Sequence, residues 1–311
     1  YEDGSKVDSS LYSVTYNSDK TQMTITFVNG LTKGVKISYQ SQVTDAIGDG
    51  GAVVNNSVSS GDKSAEAGDH KVVSQGLVKS LGNTDYNSKT VNWNFDINMA
   101  RQDMTNWSMS DPVPNGLTVN YDSFVLKDKD NNKVLQKDVD YSVTPNGNSF
   151  TISFIGDLAA HAKSWYTLSY STLYDANKLP TNGKWTNTAS ATWTDQSGKN
   201  HTNNAKADFT PRVEAKNDGN KSGSYNAVTK EISWVVVGNY NQISLKSATI
   251  VDPIIGDQDY VTGSAKLYEA VINASGSYTY GAQVQDAQIS FDQTSKTINA
   301  QLPEGSSKAY I

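Results

Sequence analysis

The sequence predicts an all-β chain built from tandem sandwich domains in a rod. Three observations predict it: short segments of alternating apolar and polar residues, turn dipeptides between these segments, and a long internal repeat. Alternation with period two is the pattern of strands with one buried face. No stretch keeps a helical period over a useful length, so we expect no substantial helix.

The alternation is clearest in four segments, and turn signals occur between such segments. These segments are Tyr12–Tyr16, Met23–Phe27, Val91–Phe95 and Phe150–Phe154. Pairs such as Asn-Gly supply the positive φ angles that tight hairpin turns require. Such pairs occur at Asn29-Gly30, Asn115-Gly116, Asn146-Gly147, Asn182-Gly183 and Ser197-Gly198.

Length and composition fit several sandwich cores. A chain of 311 residues exceeds one ordinary domain, and its 17 Tyr and 6 Trp supply enough apolar surface for several thin cores. The net charge is -6 without any cluster of Lys or Arg, so a nucleic-acid partner is not expected. No apolar run is long enough to cross a bilayer, so no membrane partner is expected either.

The chain contains no cysteine, which excludes disulfides and thiolate metal sites. A eukaryotic secreted sandwich would ordinarily carry disulfides, whereas surface proteins of Gram-positive bacteria commonly lack cysteine. The composition therefore favours a bacterial surface protein.

One repeat is marked by coincident spacings. Lys89–Trp93 is echoed by Lys230–Trp234, and equal distances then lead to Asp111-Pro112 and to Asp252-Pro253. A second echo links the start of the chain to its middle. It joins Met23–Phe27 to Phe150–Phe154, Lys36–Tyr39 to Thr167–Tyr170, and Asn56–Val58 to Asn187–Ala189.

These echoes predict three domains, of which only the middle one is complete. Residues 1–68 are expected to be the C-terminal part of a preceding repeat. Residues 69–212 form the complete repeat, and residues 213–311 are the N-terminal part of a following one. Neighbouring repeats of the same chain are thus expected partners.

The repeat resembles the collagen-binding-type, immunoglobulin-like domains of Gram-positive cell-wall-anchored adhesins. The residues that carry the resemblance are Lys79, Trp93 with Asn98, Asp111-Pro112, the Tyr141–Tyr170 region and Asn187–Ala189. The resemblance implies an immunoglobulin-like sandwich and an extracellular, cell-wall-anchored location. It also implies a structural or binding protein that is not an enzyme.

Many members of this family form an isopeptide bond between a Lys and an Asn, promoted by an Asp. For the complete repeat, the resemblance implies Lys79, Asn187 and Asp111 in these roles. At most, such a domain performs a single-turnover reaction on itself.

The incomplete repeats supply partial sets of the same residues. For the last repeat the resemblance implies Lys221 and Asp252, with the Asn expected beyond Ile311. Lys216 is an alternative to Lys221, and the Lys-to-Trp spacing differs by one residue between the copies. For the first repeat it implies Asn56, with its Lys and Asp expected before Tyr1.

The chemistry of such a bond explains the choice of residue types. An amine attacks a carboxamide only when it is neutral, and burial in an apolar core favours the neutral amine. Burial also favours a protonated carboxyl, which is able to polarise the amide and move protons. The alternative is that Lys79 is a solvated lysine, Asp111 a turn residue and Asn187 a polar residue at a strand end.

Other candidate sites have ordinary explanations. Asp128–Asn132 has the look of a calcium loop but lacks its glycine and distal glutamate, so a hairpin turn is favoured. The three histidines His70, His161 and His201 are isolated, so no metal or cofactor is expected. Three tryptophans, Trp107, Trp165 and Trp185, are expected in the core, with an exposed ligand platform as the alternative.

Three functions remain after these exclusions. The first is a stalk or adhesive region of a surface adhesin stabilised by isopeptide bonds. The second is a region that itself grips a host extracellular matrix protein or a glycan. The third is an accessory module of a carbohydrate-active enzyme.

Overall fold

The computed structural model confirms an all-β protein, with 51% of residues in strands and 5% in helices. It falls into two compact units, Tyr1–Ile47 and Gly48–Ile311. The structure describes residues 1, 3–31, 33–41, 52–72 and 76–311. The predicted boundaries after residues 68 and 212 stay a prediction.

The first unit contains one antiparallel hairpin. Strand β1 (Tyr12–Tyr16) pairs with β2 (Met23–Phe27) after a short 3-10 turn at Ser9–Leu11. Both strands coincide with alternating segments of the sequence. Lys36–Tyr39 forms no strand, although its counterpart Thr167–Tyr170 does, so here the similarity of sequence does not extend to secondary structure.

Two small hairpin-like pairs begin the second unit. Strand β3 (Ala52–Val54) pairs with β6 (His70–Val72), and β4 (Ser57–Ser60) pairs with β5 (Lys63–Glu66). The side chains of β4 and β5 are exposed along their whole length. These strands therefore contribute nothing to a buried core.

Residues 77–209 form a sandwich of two five-stranded sheets. The first sheet has the order β11-β10-β14-β8-β7, and the second has the order β12-β13-β9-β15-β16. The strands are β7 (Leu77–Asp85), β8 (Thr90–Ile97), β9 (Thr105–Pro112), β10 (Leu117–Asp128), β11 (Lys133–Val134), β12 (Tyr141–Asn146), β13 (Ser149–Phe154), β14 (Tyr166–Tyr174), β15 (Trp185–Thr194) and β16 (Asn200–Phe209).

Large aromatic side chains fill the space between the two sheets. Trp93, Trp107 and Trp185 are fully buried, so Trp107 and Trp185 cannot form the exposed platform considered above. Phe150 packs edge-on against Tyr170, with ring centroids 4.9 Å apart. Such contacts add to the free energy gained from burying the rings.

A β-bulge shapes the first strand of this sandwich. Lys79 lies opposite Phe95 and Leu81 opposite Trp93, but the register shifts between Leu81 and Thr84. One strand thus carries an extra residue beyond Leu81. Gly82 lies within the bulge, and a Cβ there would come within 3.1 Å of the main-chain oxygen of Asn92.

Residues 219–310 form a second pair of sheets. Its strands alternate between the two sheets in the same order along the chain as the strands of residues 77–209. A five-stranded sheet has the order β17-β18-β24-β20-β21, and a three-stranded sheet has the order β19-β23-β22. The strands are β17 (Gly219–Asn226), β18 (Glu231–Gly238), β19 (Thr249–Pro253), β20 (Tyr268–Ile272), β21 (Tyr278–Gln283), β22 (Ile289–Asp292), β23 (Thr297–Gln301) and β24 (Ala309–Tyr310).

Helices are confined to single turns. In the described residues they are α1 (Asp157–Ala160), α2 (Val213–Lys216) and the 3-10 turns at Ser9–Leu11 and Ala176–Lys178. In the described part of the chain, no helix has the length and apolar character needed to cross a membrane.

A joint of hydrogen bonds connects the sandwich to the segment that follows it. The main-chain N–H of Tyr86 donates to Ala274 O (3.0 Å), and that of Arg212 donates to the Tyr86 hydroxyl (3.0 Å). The Tyr240 hydroxyl donates to Gly276 O (2.6 Å). Gly276 has a φ of +86°, and a Cβ there would lie 2.5 Å from Arg212 Cδ, so only glycine fits without displacement.

Candidate functional site

An ion pair lies in the closed interior of the sandwich. Lys79 Nζ is 2.7 Å from Asp111 Oδ2, and neither side chain has any solvent exposure. Lys79 comes from β7 in the first sheet and Asp111 from β9 in the second. Both residues take inward-facing positions, two residues from the buried Leu77 and Met109, so strand alternation itself directs the charges into the core.

Tyr170 and Asn187 extend this pair across the core. The Tyr170 hydroxyl donates to Asp111 Oδ2 at 2.7 Å and accepts a hydrogen bond from Asn187 Nδ2 at 2.8 Å. Tyr170 lies on β14 in the first sheet, and Asn187 lies on β15 in the second. One hydroxyl oxygen therefore joins the carboxylate of Asp111 to the carboxamide of Asn187.

Two buried oxygens in this network lack a hydrogen-bond donor among the described residues. They are Asp111 Oδ1 and Asn187 Oδ1. Both atoms are hydrogen-bond acceptors. An unsatisfied buried acceptor is costly, and in native proteins it calls for an explanation.

Aromatic rings enclose the ammonium group of Lys79. Its Nζ lies 5.3 Å from the ring centroid of Trp93, 5.0 Å from that of Phe95 and 5.9 Å from that of Tyr170. The Trp93 Nε1–H donates to Thr172 Oγ1 at 3.0 Å, which fixes this ring in place. The rings exclude water from the ammonium group, and their attraction for the cation replaces only part of the hydration that it loses.

Burial opposes charge on both members of the pair. It lowers the pKa of Lys79 to about 8, with the attraction of Asp111 acting in the opposite direction. It also raises the pKa of Asp111, against the opposing influence of Lys79 and of the Tyr170 hydroxyl. Both shifts favour transfer of a proton from the ammonium to the carboxylate. The result would be a neutral amine beside a protonated carboxyl.

A second ion pair occupies the equivalent position in residues 213–311. Lys221 Nζ lies 2.5 Å from Asp252 Oδ1 and 4.8 Å from the ring centroid of Trp234. The Lys221 side chain is 42% exposed and that of Asp252 is 16% exposed. The pair therefore repeats the contact of Lys79 with Asp111 at a position that is more exposed to solvent.

Strand register explains the two Lys-to-Trp spacings. Lys221 lies opposite Val236, two residues after Trp234, as Lys79 lies opposite Phe95, two residues after Trp93. The bulge after Leu81 accommodates the extra residue of the first copy, whereas β17 pairs with β18 without a register shift. The structure thus brings Lys221 to Asp252.

Lys216, the alternative to Lys221, lies elsewhere. It belongs to the short helix α2, and its Nζ lies 3.5 Å from the position that a Cβ would take at Gly183. Asn56 is exposed and directly precedes β4. Its main-chain oxygen accepts a hydrogen bond from Ala67 N at 2.8 Å.

The other sequence candidates do not form sites. Asp128 accepts hydrogen bonds from Asn131 and Ser164, and Asp130 forms an ion pair with Arg101. The segment is therefore a hydrogen-bonded turn between β10 and β11. Nowhere in the described ranges do three or more His, Cys, Asp or Glu residues cluster in a way that could hold a metal ion.

The remaining aromatic and histidine candidates have local partners. Trp165 is half-buried, its Nε1–H donates to Asp96 Oδ1 at 2.7 Å, and Lys129 Nζ lies 3.3 Å from its ring centroid. His161 faces Asp103, and His201 stacks on Trp193. His70 is exposed on β6.

Sequence reasoning did not identify Tyr170 as a site residue. The signal was present, because the echo between Lys36–Tyr39 and Thr167–Tyr170 ends on a tyrosine in both copies. Tyr170 also falls on the inward face of β14, together with Tyr166 and Leu168.

Comparison with protein families identifies two copies of one domain. The model of the family described as collagen binding domain matches residues 75–204 and 216–310, which together make up more than half of the chain. A comparison of the sequence with curated proteins finds no match.

Solved structures with a similar fold include three proteins of Gram-positive bacteria. The collagen-binding subdomain of the Enterococcus faecalis surface protein ACE is 17% identical, with 43% of this chain and 94% of that chain covered and a TM-score of 0.35. The Staphylococcus aureus collagen adhesin CNA is 13% identical, with 49% and 55% covered and a TM-score of 0.34. The major pilin subunit of Bacillus cereus is 12% identical, with 94% and 64% covered and a TM-score of 0.41.

At these identities and TM-scores, no residue role is transferred from these proteins. This chain also covers less than two thirds of the adhesin from Staphylococcus aureus and of the pilin. The family match covers the residues of both ion pairs. The chain therefore belongs to the collagen-binding-domain family.

Proposed function

We propose that this chain is part of an extracellular adhesin or pilus-like protein whose complete repeat, residues 69–212, seals itself with an isopeptide bond. The bond joins Lys79 Nζ to Asn187 Cγ, and ammonia leaves. Asp111 promotes the reaction by accepting a proton from Lys79. One observation carries the proposal: an unexposed Lys79–Asp111 pair shares a hydroxyl with a buried Asn187.

The core supplies what this reaction needs. Burial favours the neutral amine that attacks and the protonated carboxyl that polarises the amide. The sandwich holds the groups together, which replaces a bimolecular encounter with an intramolecular one. The second pair, Lys221 with Asp252, would serve the same purpose in the following repeat once an asparagine is brought to it.

Such a bond would stabilise the sandwich and protect it from mechanical unfolding. It closes a loop of roughly 110 residues, which on the loop-entropy model stabilises the fold by roughly 4–5 kcal/mol. It also joins β7 in one sheet to β15 in the other. A pulling force applied to the first and last strands would then pass through a covalent link, as suits a stalk.

The direct test is the intact mass of the 1–311 chain after expression and denaturation. We expect a mass deficit of one ammonia relative to the mass calculated from the sequence. We also expect a proteolytic peptide in which Lys79 is joined to Asn187. The deficit should be absent in Lys79→Ala and in Asp111→Ala.

A matched control is Lys221→Ala, which removes the lysine of the solvent-exposed ion pair. This variant should keep the full deficit, because Lys221 has no buried asparagine beside it in the described part of the chain. A wild-type chain with its full calculated mass would refute the cross-link and leave the surface-protein assignment unaffected.

Direct binding to a host matrix protein is a second candidate function, favoured by the match to a family named for collagen binding. Immobilised collagen, fibronectin, mucin and glycans, each presented to the folded 1–311 chain, would test it. Saturable binding to collagen alone would support an adhesive role. Absence of binding to all four would favour a stalk.

A further inference from the structure

We infer that Tyr170 is the proton relay of this reaction, delivering a proton from Asp111 to the departing nitrogen of Asn187. The inference rests on the cross-link proposed above and assigns a role to a fourth residue of the site. Its basis is geometric: the Tyr170 oxygen lies 2.7 Å from Asp111 Oδ2 and 2.8 Å from Asn187 Nδ2. No other side chain contacts Asn187 Nδ2 by a hydrogen bond in the described part of the chain.

The leaving group creates the need for such a relay. An amide nitrogen departs only after it gains a proton, because the unprotonated amide anion is far too basic to leave. In the folded core, water cannot bring that proton, since Asn187, Asp111 and Tyr170 are almost completely buried. The proton must come from a group already in contact with the nitrogen.

The steps balance with the groups present. Lys79 first passes one proton to Asp111, and its neutral amine adds to Asn187 Cγ, which moves the carbonyl electron pair onto Oδ1. Asn187 Nδ2 is now a tetrahedral amine with a free electron pair. Asp111 gives its proton to the Tyr170 oxygen as Tyr170 gives its own to Nδ2.

Cleavage then completes the exchange. The carbon–nitrogen bond breaks, its electron pair leaves with ammonia, and the carbonyl forms again. The new amide nitrogen carries one proton in excess, which returns to Asp111. The net products are the amide, one ammonia and a protonated Asp111.

The hydrogen-bond directions support this order of events. Before the reaction, Asn187 Nδ2–H donates to Tyr170 and Tyr170 donates to Asp111. An amide nitrogen is no acceptor, so both bonds point toward the carboxylate. Once Nδ2 becomes an amine and Asp111 is protonated, both hydrogen bonds are able to reverse direction between the same pairs of atoms.

The surroundings keep Tyr170 protonated and in place. Burial and the neighbouring Asp111 raise the pKa of its hydroxyl, so it does not ionise. Its ring stacks on Phe124 with centroids 5.2 Å apart and meets Phe150 edge-on at 4.9 Å. A phenylalanine would preserve this packing and remove only the hydroxyl.

The test measures the rate of bond formation in newly made 1–311 chains. A short pulse of cell-free translation is stopped with denaturant at intervals, and the peptide linking Lys79 to Asn187 is quantified by mass spectrometry. We expect Tyr170→Phe to slow the reaction by at least about tenfold, in line with the contributions of positioned proton donors. Replacement of Tyr170 by 3,5-difluorotyrosine, which has a more acidic phenol, should raise the rate above that of tyrosine.

The fluorinated residue separates proton transfer from packing, because its shape is nearly that of tyrosine. Wild-type rates in Tyr170→Phe would overturn the relay, and so would equal rates with tyrosine and difluorotyrosine. A matched control for folding compares the melting temperatures of Asn187→Ala and Asn187→Ala/Tyr170→Phe, which should be similar. A wild-type chain that never forms the linked peptide would instead refute the cross-link itself, and the relay with it.

Discussion

The lysines of the two ion pairs lie at the same position in the strand register, but the two pairs have very different surroundings. Lys79 and Asp111 are unexposed, whereas Lys221 is 42% and Asp252 16% exposed. Trp93 is fully buried, and its counterpart Trp234 is 49% exposed. Residues 213–311 contain no counterpart of β15 or β16 to cover the second pair.

Comparison of the two pairs separates two properties of the site, the contact between lysine and aspartate and the exclusion of water from that contact. Packing of the first strand against the facing sheet is enough to place a lysine beside an aspartate, since both copies do so. Exclusion of water needs the late strands of the repeat, which add Tyr170 and Asn187 to the complete copy. Contact is therefore established by packing of the early strands, and burial of the pair by closure of the sandwich.

The largest expected effect comes from removing the asparagine of the buried site. Asn187→Ala should lower the free energy of unfolding by about 4 kcal/mol or more, because the cross-link no longer restricts the unfolded chain. Lys221→Ala should cost less than about 1 kcal/mol, since its pair is exposed. Calorimetry of the 1–311 variants at neutral pH would measure both.

Thr188→Ala is the matched control, because Thr188 faces outward from the same strand. Thr188→Ala should leave the stability nearly unchanged. If Asn187→Ala and Thr188→Ala had the same free energy of unfolding, Asn187 would not carry a stabilising cross-link.

A smaller effect is expected at the joint between the two regions. Gly276→Ala should destabilise residues 213–311 by about 1–3 kcal/mol, because a Cβ would collide with Arg212 and the backbone has a positive φ. Gly263 has a similar φ of +79° with open space around it, so Gly263→Ala isolates the backbone contribution. Equal melting temperatures of the two variants would show that the joint adds no stability.

The smallest effect concerns pH and requires a chain that cannot form the cross-link. In Asn187→Ala, the pKa of Lys79 is expected near 8 in the folded state and near the ordinary 10.5 after unfolding. Between these values the unfolded chain binds more protons, so stability rises with pH. We expect a gain of about 1.5 kcal/mol between pH 8 and pH 9.5.

The reference for this measurement is Lys79→Met/Asn187→Ala, which lacks the titrating amine but keeps Asp111. The raised pKa of Asp111 acts in the opposite direction, lowering stability as pH rises through the acidic range. Parallel stability curves for the two variants above pH 8 would show that Lys79 is not desolvated as the structure indicates.

Much of the fold was predictable because alternation reports directly on strands. Tyr12–Tyr16 and Met23–Phe27 match β1 and β2 residue for residue, and Val91–Phe95 lies within β8. The recurring Asn after the Trp also has a physical role. Asn98 and Asn239 both adopt positive φ, and each donates to the main-chain oxygen four residues later.

The contacts of the site were less accessible from sequence. The Lys-to-Trp spacing differs by one residue between the copies, but the sequence did not show that a bulge absorbs the extra residue, because bulges depend on pairing with the next strand. Tyr170 was hidden among many tyrosines, since a hydroxyl that bridges two sheets depends on long-range packing. Lys36–Tyr39 shows the converse, because residues similar to those of a strand form none there.

The bulge beyond Leu81 has a consequence for finding such sites elsewhere. Because the extra residue lies on the far side of Leu81 from Lys79, insertions there change the distance along the chain and leave the lysine opposite Phe95. Counting residues from lysine to tryptophan will therefore miss genuine relatives. Counting across the ladder, to the residue opposite the position two places beyond the tryptophan, identifies the lysine of the ion pair in both copies.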